Sequence, residues 1–162
     1  MRDRPRVHDV VLLPGRDRSL RRRHPWVLSG AIARVDGAPD PGAWVRVVSA
    51  EGEPLGCGHW SPASQIRVRL LAFGKEPAGD ELVAERIARA VARRAADPLL
   101  ADTDAVRLVN AEGDGLPGLV ADRYADLVVV RLATAGMDAR RALVADALRR
   151  ATAAAAGFER SD

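Results

Sequence analysis

The chain has 162 residues, 48% hydrophobic and 29% charged, which suits one ordinary domain or two small ones and excludes a disordered tail; its net charge is +3. No apolar run approaches the ~20 residues of a membrane helix, and the opening stretch MRDRPRVHDV lacks the apolar centre of a signal peptide, so the expectation is a soluble, cytoplasmic protein without a membrane partner. Cys57 is the single cysteine, which excludes an internal disulfide and a cysteine-based zinc cluster, and His8, His24 and His59 show no metal-ligand spacing, so no metal is expected.

HDVVLLPGR, from His8, is a β-branched and leucine run closed by Pro14-Gly15 and predicts a strand. In DRSLRRRHPWVLSGAI, Asp17 or Ser19 is placed to cap a short helix that Pro25 interrupts or restarts. AWVRVVSAEGEPLGCGHWS reads as a hairpin with Glu51-Gly52 in its turn, and its Trp44 and Trp60 are assigned to core packing. QIRVRLLAF alternates Ile66, Val68 and Leu70 with Gln65, Arg67 and Arg69, the period of a strand. Strand punctuation of this density over residues 1–73 predicts a small β-barrel or sandwich.

Residues 74–79, GKEPAG, read as a linker, and the texture then changes. Asp80 is placed to cap a helix running to Asp97, with Val83, Ile87 and Val91 on one face and Arg86, Arg89 and Arg93 on another, before Pro98 stops it. Strand-like AVRLVN, a glycine-rich stretch, GLVADRY and DLVVVRLA follow, the last two joined at Tyr124-Ala125-Asp126 like a hairpin corner. Met137-Asp138 opens a second helix that turns Leu143, Val144, Ala147, Leu148 and Ala151 inward and fades through an alanine run to Gly157. The expected class is α+β: a small β-barrel over residues 1–73, then a compact α/β domain over 80–162.

The glycine-rich stretch NAEGDGLPGLVADRY holds Gly113, Gly115 and Gly118 in the spacing of a dinucleotide-binding loop. That motif works when a strand feeds it and a helix leaves it, so that backbone N–H groups face a pyrophosphate. Here the residues after Gly118 read as a strand, and Pro117 removes an N–H the loop would use. Asp138, at the distance of a ribose-binding acid, fits better as a helix cap. A glycine-rich turn between strands is expected, with neither S-adenosylmethionine nor NAD bound.

The same residues carry a family resemblance. Asn110, Glu112, Asp114, Gly115, Leu116, Pro117, Gly118, Leu119, Asp122 and Tyr124 match the pattern N-x-E-x-D-G-L-P-G-L-x-x-D-x-Y, which resembles the central segment of bacterial 23S rRNA cytosine-C5 methyltransferases of the RlmI type. Upstream, His24, Pro25, Trp26, Val27 and Ile32 resemble that family's H-P-W segment, and Ser64, Ile66, Val68, Arg69 and Leu70 its S-x-I-x-V-R-x-L strand. Gly157, Arg160, Ser161 and Asp162 resemble its G-[IV]-x-x-R-[SN]-D end. The resemblance covers nearly the whole chain and implies an N-terminal RNA-binding PUA domain, an α/β central domain and then a Rossmann-like domain that binds S-adenosylmethionine. The chain stops before that last domain, so the family's cofactor loop and cysteine nucleophile are expected elsewhere, and this chain alone is expected to be inactive, the non-catalytic part of a longer enzyme or a truncated product.

RNA, rRNA in the light of the resemblance, is the expected partner. Residues 1–75 hold 13 Lys+Arg against 7 Asp+Glu, and the remainder 12 against 15. Arg16, Arg18, Arg21, Arg22 and Arg23 fall within eight positions and form a candidate phosphate-binding patch. Trp26 either stacks on a base or, by default, anchors the helix in the core. His24 is a structural or RNA-contacting residue, since no carboxylate partner for acid–base work is identifiable. Arg67 and Arg69 share a strand face that suits RNA backbone or solvent equally. Cys57 is assigned to packing. Glu112, Asp114 and Asp122 either hold their own turns, the favoured reading, or line a cleft in the complete enzyme. A free-standing RNA-binding module and a nucleotide-binding enzyme are the competing classes.

Overall fold

The computed structural model describes residues 7–76 and 78–152 and the backbone of 156–159. The chain divides into two compact units, Met1–Ala78 and Gly79–Asp162.

The first unit runs β1 (His8–Leu12), α1 (Arg18–Arg21), β2 (Trp26–Leu28), a 3-10 turn (Ser29–Ala31), β3 (Ile32–Val35), β4 (Trp44–Val48), β5 (Pro54–Trp60) and β6 (Ile66–Phe73). These strands form one sheet in the order β2-β6-β5-β4-β1-β3, antiparallel except where β1 runs parallel to β4. β2 and β3 are the two ends of that order, yet only the three-residue turn joins them. Laid flat, six strands would put the end strands roughly 24 Å apart. Four residue steps reach at most about 14 Å. The sheet must therefore curl into a nearly closed barrel around Val10, Leu12, Val27, Val45, Val47, Val68 and Leu70, with Leu20 of α1 as a plug.

Local sequence explains most of these elements. The β4–β5 hairpin turns through Gly52 at φ 86° while the Ser49 hydroxyl accepts from the N–H groups of Glu51 and Glu53. Asp17 does occupy the N-cap of α1, but its carboxylate makes no capping bond; it accepts from Arg21 Nε at 2.6 Å instead, and Ser19 lies inside the helix. Trp44 stands edge-on to the buried His59 ring, centroids 4.3 Å apart.

In the second unit, α2 (Asp80–Ala95) is followed by a 3-10 turn (Pro98–Leu100), β7 (Ala105–Asn110), a 3-10 turn (Ala111–Asp114), β8 (Leu119–Tyr124), β9 (Leu127–Leu132), α3 (Ala135–Asp138), α4 (Arg141–Thr152) and β10 (Ala156–Glu159). The sheet order is β10-β9-β8-β7, with β10 parallel to β9 and the others antiparallel. Helices α2 and α4 pack together, burying Val83, Ile87 and Val91 of one and Val144, Ala147 and Leu148 of the other.

Three expectations are corrected here. Asp80 does not cap α2: Gly79 holds the cap position, and the Asp80 carboxylate accepts from Arg140 Nε at 2.6 Å. The second helix is two pieces, because the Thr134 hydroxyl caps α3 by accepting from the Met137 N–H, and Asp138 ends α3, paired with Arg141. The alanine run leads into strand β10, whose pairing with β9 no local pattern announces. Arg160, Ser161 and Asp162 lie outside the described residues.

Candidate nucleic-acid interface

Of the five arginines around α1, the fold uses two. Arg21 donates to Asp17 and, at 2.5 Å, to Glu53 across the barrel mouth. The Glu53 bond and then the Asp17 bond raise its already high pKa, and both carboxyls are held below their usual range chiefly by the Arg21 hydrogen bond. Arg23 pairs with Glu76 at 3.1 Å and lays its guanidinium over the Phe73 ring, 4.8 Å from the centroid. Arg16, Arg18 and Arg22 are exposed and make no ion pair with a described residue. Three unneutralised guanidinium groups within seven positions leave a local field that favours an anion.

Next to them, Trp26 is 38% exposed, which corrects the default that it anchors the helix in the core; Leu20 does that. The alternating burial of β2 explains the difference, since Val27 points inward and Trp26 and Leu28 point out. The Trp26 backbone N–H donates to His24 Nδ1 at 3.3 Å, and the two rings meet edge to face at 5.4 Å and 88°. In the β2–β6 register Trp26 lies opposite Arg69, so their side chains share the outer face. Arg69 Nη1 donates to the Ile66 carbonyl at 3.3 Å, and Arg67 donates to the Pro62 carbonyl, so both half-buried guanidinium groups are partly used by their own loop.

The signature loop is a structural clamp. Asp114, its side chain 2% exposed, accepts from both Nη atoms of Arg94 at 2.8 Å, from Arg93, and from the Asn110 N–H at 2.7 Å. Burial pushes its pKa up, but the Arg94 and Asn110 bonds and the two positive charges outweigh that and hold it below the usual range. Arg86 donates to the Gly115 carbonyl at 2.6 Å. Asp122 pairs with Arg107, Nε to Oδ1 at 2.8 Å, while Glu112 is exposed. The paired arginines Arg93-Arg94 at the end of α2 are the partners the sequence reading missed; two adjacent cations in a last helical turn are their only local signal.

Gly118 leads into β8, not into a helix, and Pro117 is buried just before it. A Cβ on Gly118 would lie 2.3 Å from Thr134 Cγ2, so the glycine serves close packing rather than approach to a pyrophosphate. The strand after Gly118 is not the strand–turn–helix setting in which a dinucleotide-binding loop works.

Cys57 lies half-buried in β5 opposite Arg46, and burial pushes its thiol up. A Cβ on Gly58 would come 2.1 Å from the Arg69 carbonyl oxygen, so the glycine beside it is imposed by strand contact. A shallow groove lined by Asp9, Arg34, Asp36, Arg46 and Ser49 has its charges neutralised in the pairs Asp9–Arg46 and Arg34–Asp36. Among the described residues no cluster of metal-ligating side chains occurs, and no helix is long and apolar enough to cross a membrane.

Comparison with known proteins places these features in a lineage. Residues 10–73 match the PUA-like domain family. A protein of Shewanella amazonensis named ribosomal RNA large subunit methyltransferase I is 46% identical over 154 residues, 94% of this chain and 39% of the relative. One of the same name from Salmonella arizonae is 40% identical over 159 residues, 98% of this chain and 40% of the relative. Among solved structures, one from Streptococcus mutans, described as a candidate SAM-dependent methyltransferase, superposes with a TM-score of 0.76 at 18% identity, over 94% of this chain and 40% of that one. Another, described as a candidate methyltransferase complexed with SAH, gives 0.78 at 18% identity over the same shares. At that identity the likeness is one of fold. The chain spans about two-fifths of the length of the curated relatives it matches. Its residues 10–73 are similar to the PUA-like domain family, and over nearly its whole length the chain is similar to the N-terminal part of the ribosomal RNA large subunit methyltransferase I proteins.

Proposed function

We propose that this chain is the RNA-recognition and docking portion of an S-adenosylmethionine-dependent rRNA (cytosine-C5) methyltransferase. RNA phosphates meet Arg16, Arg18 and Arg22, with Arg21, Arg23, His24, Trp26, Arg67 and Arg69 around them. Methyl transfer and its cofactor belong to the three-fifths of the relatives' length that this chain does not span. The observation that carries the reading is the selective neutralisation of the α1 cluster: Arg21 and Arg23 are ion-paired, whereas Arg16, Arg18 and Arg22 pair with no described residue at the surface of the PUA-like region. The names of the relatives support ribosomal RNA as the class of partner. The signature loop, with Asp114 committed to α2, keeps the central unit in shape and takes no part in chemistry.

The test is RNA binding over a salt series for wild type, Arg16/Arg18/Arg22→Ala and a control, Arg89/Arg149/Arg150→Ala, whose arginines sit in exposed helix pairs with Glu85 and Asp146. Each phosphate contact contributes a slope of about 0.7 in log K against log salt for a single strand, so the first variant should bind more weakly and lose roughly two units of slope. The control should match wild type. Identical behaviour of the two variants would remove the patch from the binding site.

A further inference from the structure

We infer that the site recognises an unpaired nucleotide, whose base stacks on the outer face of Trp26 while the phosphates beside it lie on the free α1 arginines. This deepens, and rests on, the RNA-binding reading above.

In a duplex, base faces are covered by their neighbours, and a protein reaches only edges, hydroxyls and phosphates. An aromatic face at the surface is useful to RNA when the base is unstacked, and it is indifferent to base identity because every base has a π-face. Trp26 is 38% exposed and Leu28, next on the same face of β2, is 54% exposed, so the outer side of this strand is apolar where Arg69 borders it. Isolated apolar residues on a surface need no explanation. Trp26 is not isolated in that sense: it stands four residues after Arg22, in a barrel whose other two tryptophans are half-buried.

The indole is also held in place. The backbone N–H of Trp26 donates to His24 Nδ1, the His24 ring stands perpendicular against the indole, and β2 is hydrogen-bonded to β6 on one side. The His24 N–H in turn donates to the Ser19 carbonyl at 3.0 Å, tying the strand to α1 and hence the stacking surface to the arginines. A surface whose geometry is fixed before binding loses little entropy on binding.

The experiment compares a short uridine-only RNA with an RNA duplex of the same length, for wild type, Trp26→Ala, Trp26→Leu and Trp26→Phe. Trp26→Leu keeps apolar bulk without a π-face, so it separates stacking from fold; thermal melting verifies that each variant is folded. Loss of one stacked base should weaken single-strand binding by about tenfold in the Ala and Leu variants, with the salt slope unchanged, and Phe should restore most of it. Duplex binding should not change, and an abasic strand should bind wild type no better than it binds Trp26→Leu. Equal affinity of wild type and Trp26→Leu for the single strand, or equal loss on strand and duplex, overturns the inference. Failure of the RNA-binding reading itself looks different: wild type then shows no salt-dependent binding to either RNA.

Discussion

Arg94 and Asp114 form a two-pronged ion pair, both N···O distances 2.8 Å, with the carboxylate side chain 2% exposed and the guanidinium 17% exposed. The pair ties the end of α2 to the turn before Gly115, which makes it the fastening of the signature loop. Removing one member of a buried pair strands the other's charge and costs about 3–5 kcal/mol. Asp114→Ala should therefore lower stability by about 3 kcal/mol in urea unfolding. Asp122→Ala, which breaks the more exposed Arg107 pair, should cost under about 1 kcal/mol.

The same pair sets an acid limit. The Asp114 carboxyl is held below its usual range in the folded chain, so the stability it contributes is complete above the unfolded value of about 4 and is lost as pH falls through the lower folded value. Wild-type melting temperature should drop steeply below about pH 4, and the difference between wild type and Asp114→Asn should shrink over that range. A difference that stays constant to low pH would show that the charge of Asp114 is not what matters.

Two glycines of the loop should respond differently to alanine. At Gly118, φ is +84° and a new Cβ would lie 2.3 Å from Thr134 Cγ2, a side chain fixed by its capping bond to α3. At Gly115, φ is +68° but the nearest atom is the tip of Arg86, which can move. Gly118→Ala should cost about 2–3 kcal/mol and Gly115→Ala about 1 kcal/mol. Adding Thr134→Ser, which removes Cγ2, should recover part of the Gly118→Ala loss, as measured by denaturant midpoint.

Glu53 holds Arg21 in check. With Glu53→Gln the Arg21 guanidinium keeps only Asp17, and its second fork becomes available to a phosphate. RNA affinity at low salt should rise about two- to threefold and the salt slope by up to about 0.7. Stability should barely change, because both partners are surface groups. Unchanged affinity would place Arg21 away from the RNA.

What the sequence determined on its own was whatever a short window fixes. The alternation of β6, the Glu51-Gly52 turn, the apolar stripe Val83, Ile87 and Val91, and the strand after Gly118 all follow from side-chain period and backbone preference within a few residues. The family pattern around Asp114 and Gly118 was readable in the same way. The tertiary structure alone decided which charges remain unspent. Arg21 and Arg22 are neighbours with the same side chain, and they differ because Glu53, in the β4–β5 connection 32 positions from Arg21, faces one of them. It likewise put Trp26 outside, since Leu20 plugs the barrel and Val27 takes the inward position of β2. The parallel pairings of β1 with β4 and β10 with β9 join segments with no local signal. Ion pairing, burial and strand partnership depend on distances between remote residues, and those exist only once the chain has closed on itself.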